Sequence, residues 1–399
     1  MALSLKPETE AADNTSIRRS GIVQALASAA PSAVLLAYLA VLLWRFRFPE
    51  QLYLSFFTDD FFYYVEVAKH LAQSGHSTFN GIQLTNGYHP LWLIVITALC
   101  ALFGSHKVFL VAVVVLIWVL VVMTFVQLRR MQAETASNGR ANLALALLSI
   151  TFMAIISRTG MEVSLALFLL VVFWRRLAAY PLELQTSRQA FVTGLLGSAV
   201  VLSRIDCALM IGVYCLLCLM KPYSSRRAAL RNAVPFLAGL TPVAIYVLLN
   251  RVVFGTLLPI SGMAKNLKSS HLPSSSTLHR LLTPDSLNLL FTWPAAVCVL
   301  LYLVRCYPFN KLPAERARLC IALHPLLFYT ILSFTSDWFL WTWYLYPLVP
   351  ILALLGPSVV ATVPGFRTGE TVTLKRSFLL PTDSSLAACL LYTSPSPRD

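Results

Sequence analysis

The run VFLVAVVVLIWVLVVMTFVQL, residues Val108–Leu128, contains no charged side chain. A helix needs about 20 mostly apolar residues to cross the hydrocarbon core of a bilayer, and this run is long enough. Other apolar runs occur near residues 25–44, 142–157, 163–174, 190–203, 207–220, 233–254, 288–305, 319–334 and 343–363. The pattern predicts an all-α integral membrane protein, a polytopic bundle of about 10 transmembrane helices.

The composition supports this class. Of the 399 residues, 57% are hydrophobic and 12% are charged, and the mean hydropathy is +0.71, which excludes a soluble domain of this length. The formal net charge of +14 does not indicate nucleic acid, because the basic residues form short clusters at the ends of apolar runs. The eight cysteines show no disulfide framework and no metal-binding spacing.

Whether the run Leu91–Phe103 crosses the membrane determines the side on which every later loop lies. It has only about a dozen apolar residues, which favours an interfacial or re-entrant helix over a span. If it does not span and the N-terminus is inside, later basic clusters such as Arg129-Arg130 and Arg175-Arg176 fall on the cytoplasmic side, as the positive-inside rule requires. We therefore predict a cytoplasmic tail at 1–24 and a transmembrane domain at 25–363. Its first outer loop is 45–107, and its second large outer loop is 255–287.

The end of the chain has a different character. Residues Cys389–Asp399, CLLYTSPSPRD, match the translation of a common transposase sequencing adapter, so we expect them to be an artefact. Residues 364–388 are then a truncated C-terminal remainder, and we expect the natural protein to continue past them.

Two adjacent acids, Asp59 and Asp60, stand near the start of the first outer loop. Thr58 can cap a helix there, and an apolar stripe then runs as far as Gly75, which predicts an amphipathic helix lying along the interface. The stripe consists of Phe61, Tyr64, Val65, Ala68, Leu71 and Ala72. Acids at a helix start are either catalytic groups or complements to the helix dipole, and the local pattern leaves both interpretations open.

Three other outer segments carry charge close to the membrane, where charge is costly unless it faces a cavity or a partner. Arg158 is four residues from Glu162, and Arg204 is two residues from Asp206, so each arginine either binds a substrate phosphate or pairs locally. Lys265 has no acidic neighbour in the sequence and is the first candidate for the phosphate.

A cluster of aromatic residues lies close to the last apolar run. Such a cluster is typical of an aromatic belt at the outer membrane interface, and lining a sugar or lipid site is the alternative. The cluster consists of Trp338, Trp341, Trp343, Tyr344 and Tyr346.

The first outer loop contains the sequence TDDFFYYVEVAKHLAQSGHSTFNGIQLTNGYHPLW. It resembles the first outer loop of bacterial GT-C superfamily membrane glycosyltransferases, the polyprenyl-phosphate-sugar-dependent enzymes of the protein O-mannosyltransferase and aminoarabinose transferase type. The resemblance continues in order through SRTGMEVSLALFLL, LSRIDCALM, NRVVFGTLLPISGMAKNLK and WYLYPLVP. It covers most of residues 20–355.

The resemblance implies many membrane helices and a first outer loop of interfacial helices that carries the catalytic acid at its start. Carried over onto this sequence, Asp59 is the general base and Asp60 is its supporting neighbour. The candidate substrate-binding residues are Tyr63, Asn86, His89, Glu162, Arg204 and Lys265.

No complete set of metal ligands is visible, since His70, His76 and His89 match no metal-binding spacing. We expect no obligatory cofactor or metal, and a divalent metal is the less favoured alternative.

Together with the composition and topology, the resemblance implies a multi-pass glycosyltransferase of the bacterial cytoplasmic (inner) membrane with its active site facing outside. It would transfer a sugar from a polyprenyl-phosphate-linked donor to an acceptor hydroxyl in the envelope, with inversion. The rival hypothesis is a transporter or flippase for a lipid-linked or anionic substrate, which inverted repeats or broken helices would favour; neither is visible in the sequence. A structural role in an envelope complex would leave the outer acids and cations unexplained.

Overall fold

A computed structural model of the protein describes residues 33–104, 106–133, 139–219, 223–265, 272–306 and 313–360. The regular elements of these residues are helices, and the β-contact recorded among them is an isolated bridge between Thr78 and Leu84. The proposed tail at 1–24, the remainder at 364–388 and the adapter-like segment lie outside the described residues.

The helices follow one another closely along the chain. They are α1 (33–44), α2 (Glu50–Leu54), α3 (Asp59–Ser74), α4 (Pro90–Phe103), α5 (Lys107–Ala133), α6 (Gly139–Ser157), α7 (Val163–Ala179), α8 (Ser187–Ser203), α9 (Ala208–Leu219), α10 (Tyr223–Gly239), α11 (Thr241–Phe254), α12 (Ile260–Lys265), α13 (Ser275–Leu282), α14 (Trp293–Cys306), α15 (Pro313–Thr335), α16 (Val349–Leu354) and α17 (Gly356–Val360). Short 3₁₀ turns at Arg45–Arg47, Leu182–Leu184, Ile205–Cys207 and Thr342–Leu348, and a π turn at Asn288–Thr292, fill most of the short gaps.

The described helices confirm the all-α membrane architecture. Those long and apolar enough to cross a bilayer alone lie at Lys107–Gln132 and Arg316–Thr335, and the bent pair α10–α11 qualifies if it is counted as one span. Five further apolar helices are shorter, with 10–17 residues: Pro90–Phe103, Ala141–Ser157, Ile205–Cys218, Asn288–Val304 and Thr342–Leu354. Several of the predicted spans are themselves shorter than about 20 residues, which agrees with these lengths.

The predicted span at 233–254 is not one continuous helix, because the chain bends there by 49° between α10 and α11, although the two helices together still qualify as one bent span. Pro235 lies inside α10 and a second proline stands in the first turn of α11, and prolines remove the backbone donors that a continuous helix needs. A broken helix is therefore present where the sequence pattern indicates a continuous one.

The predicted span at 343–363 is also wrong as a single helix. Its described part consists of the 3₁₀ turn Thr342–Leu348 followed by the short helices α16 and α17. Pro347, Pro350 and Pro357 interrupt it at intervals that prevent regular hydrogen bonding. Nearly all of it is buried, so this segment forms part of the core of the bundle.

The predicted helix after Thr58 is present as α3. Phe61, Tyr64, Val65 and Ala68 are buried, and the helix ends at Gly75, whose φ of 73° is the left-handed conformation that favours glycine. Thr58 is the N-cap residue as predicted, but its side chain does not cap the helix, because the Thr58 hydroxyl and backbone N–H both donate to the Thr159 carbonyl, at 3.3 and 3.2 Å. Thr58 therefore ties the start of α3 to the turn between α6 and α7.

Helices α8 and α10 pack with their backbones in contact at two glycines. A Cβ added at Gly194 would collide with the Phe236 carbonyl oxygen, and one added at Gly239 would collide with the Phe191 carbonyl oxygen. Small residues at such a crossing allow helices in a membrane to approach closely.

We expect Gly194→Ala to lower the free energy of unfolding by about 1–3 kcal/mol, because the added methyl group forces the two backbones apart. Gly212→Ala in α9 is the matched control, since a Cβ there meets no atom within 4 Å. Thermal unfolding of the purified protein in detergent measures both. Equal midpoints for the two variants would contradict the proposed close contact.

Candidate active site

A polar cavity of about 370 Å³ opens beside the start of α3. Its walls come from the first loop, the α6–α7 turn, the end of α8, α12 and the 3₁₀ turn after α15. The lining residues are Asp60, Tyr63, Tyr64, Thr85, Gly87, Tyr88, His89, Met161, Glu162, Arg204, Ile260, Ser261, Trp343 and Tyr344. Four of the predicted substrate-binding residues are therefore brought together, namely Tyr63, His89, Glu162 and Arg204.

Arg204 is the buried centre of the wall, with 2% of its side chain exposed. Its Nη1 donates to Glu162 Oε1 at 2.7 Å, and its Nε and Nη2 donate to Asp206 Oδ1 and Oδ2 at 3.1 and 3.2 Å. The predicted local pair with Asp206 is confirmed, whereas the alternative pair of Arg158 with Glu162 is wrong. Arg158 is exposed, and Glu162 pairs with Arg204 instead.

Two aromatic rings cover the Arg204 guanidinium. Its Cζ lies 5.2 Å from the centroid of the Tyr344 ring and 4.5 Å from that of Tyr346, which are distances of cation–π contact. Tyr346 also donates from its hydroxyl to Asp206 Oδ2 at 3.2 Å. The predicted aromatic belt is therefore wrong for Trp343 and Tyr346, which are buried in the bundle.

His89 connects the first loop to the Arg204 cluster. Its Nδ1 accepts a hydrogen bond from the backbone N–H of Ile205 at 3.3 Å, and a ring nitrogen that accepts carries no proton. The proton of the neutral ring is therefore on Nε2, which lies 3.6 Å from Glu162 Oε1. This arrangement points an N–H at the carboxylate from the cavity side.

Tyr64 joins the same cluster from α3. Its hydroxyl accepts from the His89 backbone N–H at 2.9 Å and donates to Glu162 Oε2 at 3.4 Å. Burial, followed by the charge of Glu162, holds the pKa of Tyr64 well above its usual range. The phenol therefore stays protonated and can donate to the carboxylate.

Glu162 reaches this position because the α6–α7 turn is pressed against the start of α3. Gly160 has φ of 79°, and a Cβ there would lie 2.7 Å from atoms of the Phe57 and Phe61 rings. Only glycine satisfies both the conformation and the space. The turn then directs Glu162, which is 1% exposed, into the cavity wall.

The rest of the first loop is braced by its own hydroxyl groups. Ser77 Oγ donates to the Thr85 carbonyl at 2.7 Å and bonds the Tyr88 hydroxyl at 2.6 Å, while the Tyr63 and Thr85 hydroxyls bond each other. Burial raises the pKa of Tyr63 and of Tyr88, so both phenols remain neutral donors.

The two acids at the start of α3 differ in placement. Both are exposed, but Asp60 lines the cavity and Asp59 does not. Asn86 also lies outside the cavity walls and is fully buried, with its side chain engaged by Asn250 and Ile260. Lys265 is the last residue of α12, and its side chain is outside what the structure describes.

A second, more apolar cavity of about 220 Å³ adjoins the first. The two share His89, Arg204, Ser261 and Tyr344 in their walls. The second is otherwise lined by Ile205, Asp206, Leu258, Pro259, Gly262, Phe328, Leu332, Ser336, Trp338, Phe339 and Leu340. A polar space and an apolar space therefore meet at Arg204. Among the described residues, no group of three or more His, Cys, Asp or Glu side chains is placed to hold a metal ion.

The fold of this chain is similar to that of solved membrane-protein structures. Crystal structures of ArnT from Cupriavidus metallidurans, in the apo state and bound to undecaprenyl phosphate, superpose with TM-scores of 0.54 and 0.53. The chain therefore has a membrane fold similar to that of these ArnT structures. The sequence identities are 14% and 15%, and the match covers 84% of this chain and 60% of each ArnT chain. No protein-family model and no curated protein matches the sequence.

Sequence reasoning misses several members of the site. It places Tyr64 in an apolar stripe, although the hydroxyl of this residue connects His89 to Glu162. Ser261 lines both cavities, but a serine in a polar loop carries no distinguishing signal. Tyr344 and Tyr346 could be found only through the weaker alternative to the aromatic belt.

We expect Arg204→Met to destabilise the protein by about 3–5 kcal/mol, because it leaves Glu162 and Asp206 buried without their cation. The triple variant Glu162→Gln, Arg204→Met, Asp206→Asn removes all three charges and should recover much of that loss. Thermal unfolding in detergent measures the difference.

The exposed Arg158→Met is the matched control and should stay within about 0.5 kcal/mol of the parent protein. If Arg204→Met were as stable as the triple variant, burying Glu162 and Asp206 without their cation would have no cost in stability. That result would contradict the prediction.

Proposed function

We propose that the protein is a membrane glycosyltransferase that uses a polyprenyl-phosphate-linked sugar as donor and an envelope hydroxyl as acceptor. The reaction takes place on the extracytoplasmic side of a bacterial cytoplasmic membrane and inverts the anomeric carbon. The observation that carries the proposal is the junction of a polar and an apolar cavity at Arg204.

The paired cavities match the chemistry of such a donor. A polyprenyl-phosphate sugar has a polar head and an apolar chain joined by a phosphate. The polar cavity, with its tyrosines and carboxylates, suits a sugar, and the apolar cavity suits the first isoprene units. The phosphate between them would lie near His89, Arg204 and Ser261.

The fold supports the same class of donor. One of the ArnT crystal structures is bound to undecaprenyl phosphate. Since this chain spans 60% of the length of that protein, the donor class comes to it as part of the proposal.

The proposed transfer is a displacement at the anomeric carbon. The acceptor oxygen forms a bond to that carbon, the bond from the carbon to the phosphate oxygen breaks, and polyprenyl phosphate leaves with the electron pair. The proton of the acceptor hydroxyl passes to a carboxylate of the Asp59–Asp60 pair. Hydrogen-bond donors near the phosphate stabilise the charge that develops on the leaving group.

Arg204 alone is poorly suited to bind that phosphate, because Glu162 and Asp206 already use three of its five N–H groups. The cluster of one cation and two carboxylates also has a net negative charge. We therefore keep Lys265 as the proposed phosphate cation, with the hydroxyl of Ser261 as an additional donor.

The break between α10 and α11 favours the rival hypothesis of a transporter, since broken helices often carry transported substrates. Substrate sites of that kind form at the broken helix ends themselves. Leu240, at the break, is absent from the lining of both cavities. A transporter would move labelled donor across sealed vesicles without forming a glycosylated product.

We expect Asp59→Asn to lower the rate of sugar transfer by about 10²–10⁴, the usual contribution of a positioned general base. Asp60→Asn should lower it less, because the family resemblance gives Asp60 a supporting role. The assay follows transfer from a labelled polyprenyl-phosphate sugar in membranes that contain the protein.

Glu66→Gln is the matched control, since Glu66 lies on the same helix and pairs with Lys69 outside the cavity. The reverse order of effects would make Asp60, which lines the cavity, the base. Unchanged transfer in both aspartate variants would refute the mechanism.

We expect Gly262→Phe to weaken the binding of undecaprenyl phosphate at least about tenfold, or about 1.4 kcal/mol. Gly262 lines the apolar cavity, and a Cβ there meets no atom within 4 Å, so the added side chain starts in open space and its ring would take up volume proposed for the lipid. Binding to the purified protein in detergent is measured by titration.

Gly212→Phe is the matched control, because Gly212 is also open to added atoms and lies outside both cavities. Equal affinities of the two variants would place the lipid elsewhere.

A further inference from the structure

The side chain of Asn86 joins three separate segments. Its Nδ2 donates to Asn250 Oδ1 on α11 at 3.2 Å, and its Oδ1 accepts from the backbone N–H of Ile260, the first residue of α12, at 3.0 Å. Asn86 itself is fully buried. A short amide side chain supplies one donor group and one acceptor at the same place, and both are used here.

Within the first loop, hydrogen bonds hold the backbone around Asn86 in place. The backbone N–H of Thr85 donates to the Ser77 carbonyl at 2.8 Å, and that of Tyr88 donates to the Asn86 carbonyl at 2.8 Å. The loop also contacts α3 through the hydroxyls of Tyr63 and Thr85. The position of Asn86 is therefore set by the loop that carries the cavity wall.

On the other side, α12 packs weakly. Its described part consists of the six residues Ile260–Lys265. The flanking Leu257 and Leu258 and the helical Ile260 and Met263 are between 43% and 57% exposed. The hydrogen bond from Ile260 to buried Asn86 is thus a principal polar attachment of a segment with little apolar packing.

That attachment matters because α12 forms a wall of both cavities. Ile260 and Ser261 line the polar cavity, while Ser261 and Gly262 line the apolar one. A displacement of α12 would therefore move a wall of both cavities.

We propose that Asn86 is a positioning residue that fixes α12 as the common wall of the two cavities and so sets the affinity for the lipid phosphate. Asn86 does not contact the substrate. Its effect on affinity rests on the proposed function, whereas its effect on the order of α12 does not.

The test distinguishes the loss of the hydrogen bond between the Ile260 N–H and Asn86 from the effect of changing side-chain size. Asn86→Leu removes both hydrogen bonds of the amide. Ile260→Pro removes the N–H and also shortens the side chain, and proline is tolerated at the first position of a helix. Ile260→Ala is its matched control, because it shortens the side chain and keeps the N–H. The Asn86→Leu, Ile260→Pro double variant shows whether the two changes act on the same bond.

Two measurements are made on each full-length protein in detergent. Hydrogen exchange of the peptide spanning residues 256–265 reports the order of α12, where the N–H groups of Gly262 and Met263 donate to the Pro259 carbonyl. Titration with undecaprenyl phosphate reports affinity. Thermal unfolding confirms that each variant is folded.

We expect faster exchange of that peptide in Asn86→Leu and Ile260→Pro than in Ile260→Ala. Each of these two variants should bind undecaprenyl phosphate about 2–10-fold more weakly than its reference protein, which is the effect of losing one hydrogen bond. The affinity of the double variant should be no lower than that of the single variant with the lower affinity. The references are the parent protein for Asn86→Leu and Ile260→Ala for Ile260→Pro.

Exchange in Ile260→Pro equal to that in Ile260→Ala overturns the proposal, and so does faster exchange with unchanged affinity. If the parent protein fails to bind undecaprenyl phosphate while exchange behaves as expected, the proposed lipid donor is wrong and the attachment of α12 by Asn86 is supported.

Discussion

The buried guanidinium of Arg204 imposes the constraint on which the site depends. A cation that is 2% exposed is stable only if anions and hydrogen-bond acceptors surround it. Glu162 comes from the α6–α7 turn and Asp206 from the turn after α8, so two connections must meet at one point. Tyr346 then satisfies Asp206, and Tyr64 and His89 satisfy Glu162. Each partner brings another part of the chain to the same end of the bundle.

This constraint also explains the shape of the space beside it. The carboxylates and tyrosines around Arg204 produce a polar wall, while Leu258 and Pro259, α15 and the segment after α15 contribute apolar side chains on the adjoining side. Arg204, His89, Ser261 and Tyr344 face both spaces. The junction of a polar and an apolar cavity therefore follows from placing a satisfied charge cluster at the edge of an apolar helical bundle.

The sequence is informative where the determining interactions are local. The stripe that begins at Phe61 and the stop at Gly75 predict α3, because periodicity and a left-handed cap act within a few residues. The pair of Arg204 with Asp206 is also visible, since the two are separated by two residues. The bend within the predicted span at 233–254 is not visible, because apolar composition indicates burial and contains no information about helix direction.

The interactions that build the site are long-range, and composition does not encode them. Glu162 and Arg204 are 42 residues apart, and Asp206 and Tyr346 are 140 apart. The local alternative, Arg158 with Glu162, satisfies every rule of helical spacing and is still wrong. A glycine decides the matter, because Gly160 turns the chain at a conformation that a helical pair across it cannot keep.

The neutralisation of Arg204 has a consequence for the proposed substrate. A phosphate brought to Arg204 also approaches the two carboxylates that already hold it, so attraction and repulsion largely offset one another. A second cation is then needed, and it must come from a segment that borders both cavities. Helix α12 meets that condition and ends at Lys265. The placement of α12 by Asn86 would therefore govern the charge available to the phosphate as well as the shape of the space around it.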